Sequence, residues 1–213
     1  QPGGCRLCGV YARTGLRAVK RERHMKNLNI GLVGTGGMGK VHYANLQQIE
    51  GCTVAAAVGH SPRSQEAAKE WGVPCYPSIT AMVNDCDIDV VDICTPTYMH
   101  HDNVMESLSL GKHTICEKPI ALSVMDAKEM LDEAERRGVQ LYIAQVLQFT
   151  KEVGFLREAV KSGEFGRPLD GCFERLSACP GWASGGWLFD EKKSGLLPYD
   201  LHIHDLDVIV SLF

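Results

Sequence analysis

One stretch restricts the fold more than any other: Ile30-Gly31-Leu32-Val33-Gly34-Thr35-Gly36-Gly37-Met38-Gly39-Lys40-Val41. Ile30, Leu32 and Val33 read as a buried strand, Gly34 to Gly39 as a turn, and Lys40 to Ile49 as a helix with Val41, Ala44, Leu46 and Ile49 available for packing. Each glycine of the G-x-G-x-x-G spacing answers a physical demand. Gly34 allows a tight turn, Gly36 lets another group approach the backbone, and Gly39 lets the helix pack on the strand. The helix start offers unpaired N–H groups and a positive dipole end to an anion, so Gly34, Thr35, Gly36, Gly37, Met38 and Gly39 are candidate phosphate-contacting residues. The same spacing occurs in ordinary turns, and the surrounding chain must decide.

The surroundings alternate. Cys52 to Val58 is a second apolar run, and Ser61-Pro62 has the N-cap and N1 chemistry of a helix that carries Ala67, Ala68 and Trp71 to Gly72. Val73 to Tyr76 with a helix from Ser78 forms a third unit. Asp89 to Cys94 is a strand ending at Thr95-Pro96-Thr97; a helix from Asp102 to Leu110 and a strand from His113 to Cys116 follow, ending at Glu117-Lys118-Pro119. Ser123-x-x-Asp126 opens a long helix with Ala127, Leu131 and Ala134 inward and Gly138 as its stop, before a last strand, Leu141 to Ala144. Strand–helix alternation predicts an α/β fold, a doubly wound parallel sheet over residues 25–144. Ligands of such sheets lie beyond the carboxyl ends of the strands, which gathers Gly34–Gly39, Thr95–Thr97 and Glu117–Pro119 around one crevice. An acid at the end of the second strand would hold an NAD ribose, but Val58, Gly59 and His60 supply none. Ser61 and Arg63 can instead meet a 2′-phosphate, which favours NADP over NAD; a merely solvated Arg63 is the alternative.

Residues 1–24 differ in character, with six basic residues against one acid and no hydrophobic periodicity. They lack the apolar core of a secretory signal. Met25 directly precedes the first strand, so residues 1–24 are expected to be a non-native or disordered leader. Without it the net charge falls from −4 to −9, because six basic residues and one acid leave the count of 22 Lys and Arg against 26 Asp and Glu. An acidic body argues against nucleic acid as a partner. No run reaches the ~18 apolar residues of a membrane span, so a cytoplasmic protein is expected. Nine cysteines are scattered, and Cys52, Cys75, Cys94, Cys116 and Cys172 fall at apolar positions that suit buried free thiols. Cys5-x-x-Cys8 has no second pair at zinc-finger spacing, so no metal site is expected.

Beyond Gln145 the pattern changes. A helix (Val153 to Ser162), a Gly-Arg-Pro turn (Gly166 to Pro168), a strand (Gly171 to Ser177) and a Trp- and Gly-rich loop (Pro180 to Leu188) lead to Gly195-Leu196-Leu197-Pro198. Pro198 opens a last, mostly buried helix in which Asp200, His204 and Asp207 share one face. A lone histidine in such a helix is usually a satisfied core residue. His202, His204 and Asp207 as metal ligands are disfavoured, because His202 would point away from the other two.

Gly34-Thr35-Gly36-Gly37-Met38-Gly39, Thr95-Pro96-Thr97, Glu117-Lys118-Pro119 and Asp200-Leu201-His202-Ile203-His204, in this order, make the chain resemble the Gfo/Idh/MocA oxidoreductases from about Lys26 to its end. The resemblance implies a Rossmann domain binding NAD or NADP, contacted also through Thr95 and Glu117, and an α+β domain that covers the nicotinamide and holds a sugar, inositol or similar polyol. It implies catalytic roles for Lys118, Asp200 and His204. Hydride transfer from a secondary alcohol needs a base near neutrality and a cation for the alkoxide; His204 and Lys118 have the chemistry for these. Asp200 either orients the imidazole or binds a substrate hydroxyl.

The chain departs from the family pattern in two places. Gln148 stands where the family often has arginine, and residues 145–213 hold one clear strand where the family builds an open sheet. An incomplete substrate domain is therefore expected, with the homo-oligomer of a full-length parent formed through the sheet that is missing. Two alternatives stay open beside a sugar or polyol dehydrogenase. One is an NAD-assisted glycosidase, distinguished by aglycone release without net cofactor change; the other is a dinucleotide-binding fragment without activity.

Overall fold

A computed structural model describes residues 27–181 and 183–213. The expectations for residues 1–24, for Met25 as a start and for Cys5, Cys8 and Trp182 lie outside the described residues. The strands are β1 (Leu28–Val33), β2 (Cys52–Val58), β3 (Cys75–Tyr76), β4 (Val90–Ile93), β5 (His113–Cys116) and β6 (Leu141–Ile143). They form one sheet in the order β3-β2-β1-β4-β5-β6, every pair parallel. Helices α1 (Gly37–Leu46), α2 (Pro62–Trp71), α3 (Ile79–Asp85), α4 (His100–Ser109) and α5 (Val124–Arg137) connect them, giving the α/β Rossmann architecture expected. The strand order reverses between β1 and β4, which opens the crevice there.

The local signals explain these helices. Ser61 and Ser123 accept from the Ser64 and Asp126 amides as N-caps, and Gly72 and Gly138 end their helices in the left-handed region at φ 71° and 67°. α1 starts three residues earlier than expected because Gly36 is its N-cap, and it stops at Leu46. Val41, Ala44 and Ile49, expected to pack, are exposed. Leu46 packs as expected and, with Tyr43, which was not expected, covers Ile30, Leu32, Val54, Val90 and Cys94, with Tyr43 stacked on Trp71 at 4.4 Å. On the opposite face Ile79, Met82, Val104, Leu108 and Met130 close over Val33, Val91 and Ile93.

After the sheet come α6 (Lys151–Ser162), α7 (Glu191–Ser194), α8 (Leu196–Asp200) and α9 (Ile203–Leu212). The strand expected over Gly171 to Ser177 does not form: residues 168–181 carry no regular secondary structure, because no ladder partner lies beside them among the described residues. Of the five cysteines expected to be buried, Cys94 and Cys116 are buried in the sheet as free thiols, Cys52 and Cys75 are half-buried, and Cys172 is exposed in that segment. The single last helix also does not form. It breaks at Leu201 and His202, and of the positions expected to be covered Leu206 is exposed, while Leu201, Ile203 and Ile209 are half-buried.

Candidate active site

The glycine turn is built as its spacing demands. Gly34 has φ 92°, and a Cβ there would lie 2.8 Å from the Cys94 carbonyl oxygen. A Cβ on Gly39 would lie 2.0 Å from the Gly34 carbonyl oxygen, so α1 lies directly on the turn. A Cβ on Gly36 would meet nothing within 4 Å. The Lys40 amide donates back to Gly36 O at 3.0 Å, while the amides of Gly37, Met38 and Gly39 belong to the first turn, where no intrahelical acceptor exists. Open space beside free helix-start donors is the geometry that fits a pyrophosphate.

At the end of β2, Ser61 is occupied as a cap, with Ser64 Oγ 2.9 Å from its hydroxyl, and Arg63 is exposed on the first turn of α2. Thr95 follows β4; its hydroxyl accepts from Asn103 at 3.2 Å. Its carbonyl faces His100 Nε2 at 3.0 Å, and His100 Nδ1 faces the Pro119 carbonyl at 2.8 Å. Buried His100, its pKa lowered by desolvation, thus spans the two loops that follow β4 and β5.

Lys118 and Asp200, 82 residues apart, meet here. Lys118 Nζ donates to Asp200 Oδ1 at 2.9 Å and to the Asp200 backbone carbonyl. The second contact lies at the break between α8 and α9. The Asp200 carbonyl, turned to the lysine, does not accept from His204, whose amide donates to Leu201 O at 3.3 Å instead. Asp200 is therefore the partner of Lys118. The imidazole of His204 keeps a buried Nδ1 with no hydrogen-bond partner among the described residues. Desolvation, with the nearby charges of Lys118 and Arg175, holds His204 below the ordinary histidine pKa, so it is neutral at pH 7.

The remaining expected neighbours are engaged elsewhere. Asp207 accepts from Gln148, and Arg157 donates to the Gln148 backbone carbonyl at 3.2 Å and to its side-chain oxygen. Asp205, between His204 and Leu206, was not singled out by sequence. It takes a two-pronged contact from Arg175, with Nε at 2.9 Å from Oδ2 and a terminal nitrogen at 2.6 Å from Oδ1, and this pins the 171–177 segment to α9. Trp187 meets Tyr98 edge-on at 6.5 Å, docking the Trp- and Gly-rich loop against the turn after β4.

The expected cofactor contact Glu117 is buried and turned inward. Its Oε1 lies 3.0 Å from His42 Nε2, and its Oε2 accepts from the Lys118 amide at 3.1 Å. His42 Nδ1 lies 2.9 Å from Asp92 Oδ2, and the Cys94 thiol donates to Asp92 at 3.9 Å. Asp92 raises His42 most, with Cys94 and Glu117 adding to it against burial, and carries its pKa to about 12. Burial pushes the Glu117 carboxyl up, but His42 and the Lys118 amide outweigh this and hold it low. Ligand atoms of His42, Asp92 and Cys94 lie within 4.8 Å of one another, and each already serves a hydrogen bond. Sequence reasoning passed over this cluster, although Asp92 inside the apolar run Val90-Val91-Asp92-Ile93 signalled it: a buried charge requires a partner.

Residues 28–145, more than half of the chain, match the family model described as the oxidoreductase family with an NAD-binding Rossmann fold. The chain belongs to the Gfo/Idh/MocA oxidoreductase family. It is 32% identical over 187 residues to an oxidoreductase of Streptococcus pneumoniae, which covers 85% of this chain and 49% of that protein. It is 29% identical over 183 residues to the myo-inositol 2-dehydrogenase of Thermotoga maritima, covering 85% and 53%. Its fold matches an oxidoreductase from Agrobacterium radiobacter solved with NAD+, L-tartaric acid and magnesium, at a TM-score of 0.80 and 24% identity over 88% of this chain and 55% of the other. The chain thus spans about half the length of the relatives it matches. Among the described residues no helix is long and apolar enough to cross a membrane.

Proposed function

We propose that this family member transfers hydride between a nicotinamide dinucleotide and a secondary alcohol of a sugar or polyol, with Lys118, Asp200 and His204 as its working groups. The observation that carries the reading is the convergence of Lys118 and Asp200 at 2.9 Å near His204, whose buried Nδ1 has no hydrogen-bond partner among the described residues. NAD or NADP, when bound, supplies the hydride acceptor or donor. Gly34, Thr35, Gly36, Gly37, Met38 and Gly39 hold its pyrophosphate, and Thr95 lines the same crevice. Ser61 and Arg63 at the end of β2, where no carboxylate stands, favour the 2′-phosphate of NADP.

Each side chain has a distinct task. Lys118 donates a hydrogen bond to the reacting oxygen and offsets its developing negative charge as the hydride leaves. His204 takes the hydroxyl proton; held below the ordinary histidine pKa, it is in its basic form at pH 7. Asp200 keeps the head of Lys118 aimed, accepting from Nζ at 2.9 Å. Residues 145–213 belong, on this reading, to the domain that covers the substrate. Myo-inositol is the first substrate to try, since a relative named as a myo-inositol 2-dehydrogenase is 29% identical. The test is a thermal-shift series with NAD+, NADH, NADP+ and NADPH, followed by a polyol panel scored by formation of reduced cofactor. A cofactor-dependent rise in melting temperature with turnover on a polyol supports the reading. A chain that melts identically with all four refutes it.

A further inference from the structure

His42 occupies a position that the proposed reaction does not use. It lies on α1 three residues after Gly39, on the face turned to the sheet, with its side chain 15% exposed. Both ring nitrogens face carboxylates. Nδ1 is 3.1 and 2.9 Å from the two oxygens of Asp92, in the middle of β4, and Nε2 is 3.0 Å from Glu117, at the end of β5. Asp92 and Glu117 are buried, 1% and 6% exposed. A neutral imidazole carries one N–H, so it would leave a lone pair aimed at one buried anion. Only the doubly protonated ring gives each carboxylate a donor, and only two carboxylates justify a buried imidazolium. The other polar groups at the cluster do not change the count: Cys94 keeps its thiol proton, and the Lys118 amide is already a donor to Glu117.

The elements joined by this ring matter. α1 is the helix whose start faces the pyrophosphate in the reading above. Glu117 is the residue before Lys118, and its second oxygen holds the Lys118 amide. We propose that His42 is a positioning residue, a permanently charged imidazolium that locks the phosphate-facing helix to the Glu117–Lys118–Pro119 turn and so sets cofactor and catalytic lysine in one register. The part of this that concerns register rests on the dinucleotide reading; the charge state of the ring does not.

The test separates the two. Nitrogen NMR of the histidine-labelled chain will show both ring nitrogens of His42 protonated from pH 6 to about 9, far above the ~6.5 midpoint of a free histidine. A single ring proton at pH 7.5 overturns the proposal, whatever the cofactor results. Next, His42→Gln, which offers one donor group to two carboxylates, is compared with the parent chain for NADH binding well below both melting temperatures. At least tenfold weaker binding by the folded variant, and a displaced titration of Lys118 followed by NMR of its methylated amine, are expected. Lower melting temperature with unchanged affinity and unchanged Lys118 titration would reduce His42 to a structural brace and overturns the positioning role. Should His42→Gln fail to fold, Glu117→Gln, which keeps an acceptor for Nε2–H, is read in the same way. If the unaltered chain binds no dinucleotide but its ring is doubly protonated, the cofactor reading fails and the charged tie stands.

Discussion

Alanine at Gly36 and alanine at Gly39 will fail in opposite ways, although the residues are three apart in one turn. A Cβ on Gly39 would sit 2.0 Å from the Gly34 carbonyl oxygen and 3.0 Å from its carbon. A carbon–oxygen contact relaxes near ~3.3 Å, so α1 must retreat by about 1.3 Å from a backbone that has no rotamer to offer. Overpacking of this kind costs about 1–3 kcal/mol, and at roughly 2–4 °C per kcal/mol for a chain of this size the melting temperature falls by about 2–12 °C. Gly36 differs in every respect. Its φ of −71° and ψ of −160° are open to alanine, and nothing lies within 4 Å of the added methyl. The gain of ~0.4–1 kcal/mol from a stiffer unfolded chain is offset by losing a favoured N-cap residue, worth up to ~1 kcal/mol. Melting therefore stays within ~2 °C, while the methyl fills the space by which a pyrophosphate approaches the free amides. NADH binding falls at least about tenfold, a loss of ~1.4 kcal/mol. Differential scanning fluorimetry and NADH fluorescence titration on the two variants decide the matter. Gly36→Ala binding NADH as tightly as the parent would refute the assignment of the turn, and so would Gly36→Ala melting as low as Gly39→Ala.

Lys118→Met will lower polyol turnover by about 10²–10³ through loss of one charged donor to the reacting oxygen, while NADH affinity measured by titration changes little; equal losses in both would refute its role. The pH profile of kcat/KM for alcohol oxidation will rise through a midpoint below 6.5 and then level, since His204 must be neutral and its pKa is lowered. Arg175→Met removes one of the cations that depress His204, so that midpoint will move to higher pH, and an unmoved profile would show that Arg175 does not reach the base. The same variant removes the partner that holds Asp205 below the ordinary carboxylate range. The stability this supplies is complete above the unfolded carboxyl pKa of ~3.9 and fades as pH falls through the folded value, so the melting gap between variant and parent will narrow in acid. Arg63→Ala will weaken NADPH binding relative to NADH by about tenfold if the guanidinium meets the 2′-phosphate; equal weakening of both would remove the case for NADP.

The strands, the glycine turn and most caps could be read from sequence because each depends on residues within a few positions. Ser61 caps its own third amide, Gly138 turns its own helix end, and Val33 to Gly39 carries its geometry locally. What failed was decided at long range. The helix expected from Pro198 onward has adequate periodicity, yet it breaks at Leu201 and His202, where the Asp200 carbonyl faces Lys118, 82 residues earlier in the chain. The segment Gly171 to Ser177 has strand composition, but a strand is completed by a neighbour and none is beside it among the described residues. Of the candidate site, Lys118, Asp200 and His204 were named from motifs, but the role split between Asp200 and the imidazole was not readable. His42, Asp205 and Arg175 were missed, because a charged residue announces only that it needs a partner.

The turn Glu117–Lys118–Pro119 shows why those long-range contacts matter most where the chemistry lies. Three elements grip it independently: His42 of α1 holds the Glu117 carboxylate, His100 of α4 faces the Pro119 carbonyl, and Asp200 at the end of α8 holds the Lys118 ammonium. A lysine on a flexible four-carbon stem loses much of its catalytic value if its head wanders, because stabilising a developing charge depends on donors already in place. Contacts at Glu117 and Pro119 and at the Lys118 Nζ restrict that freedom before any ligand arrives. The same arrangement links the glycine turn, through α1 and His42, to the lysine, so a displacement of α1 at Gly39 will reach Lys118 without touching it.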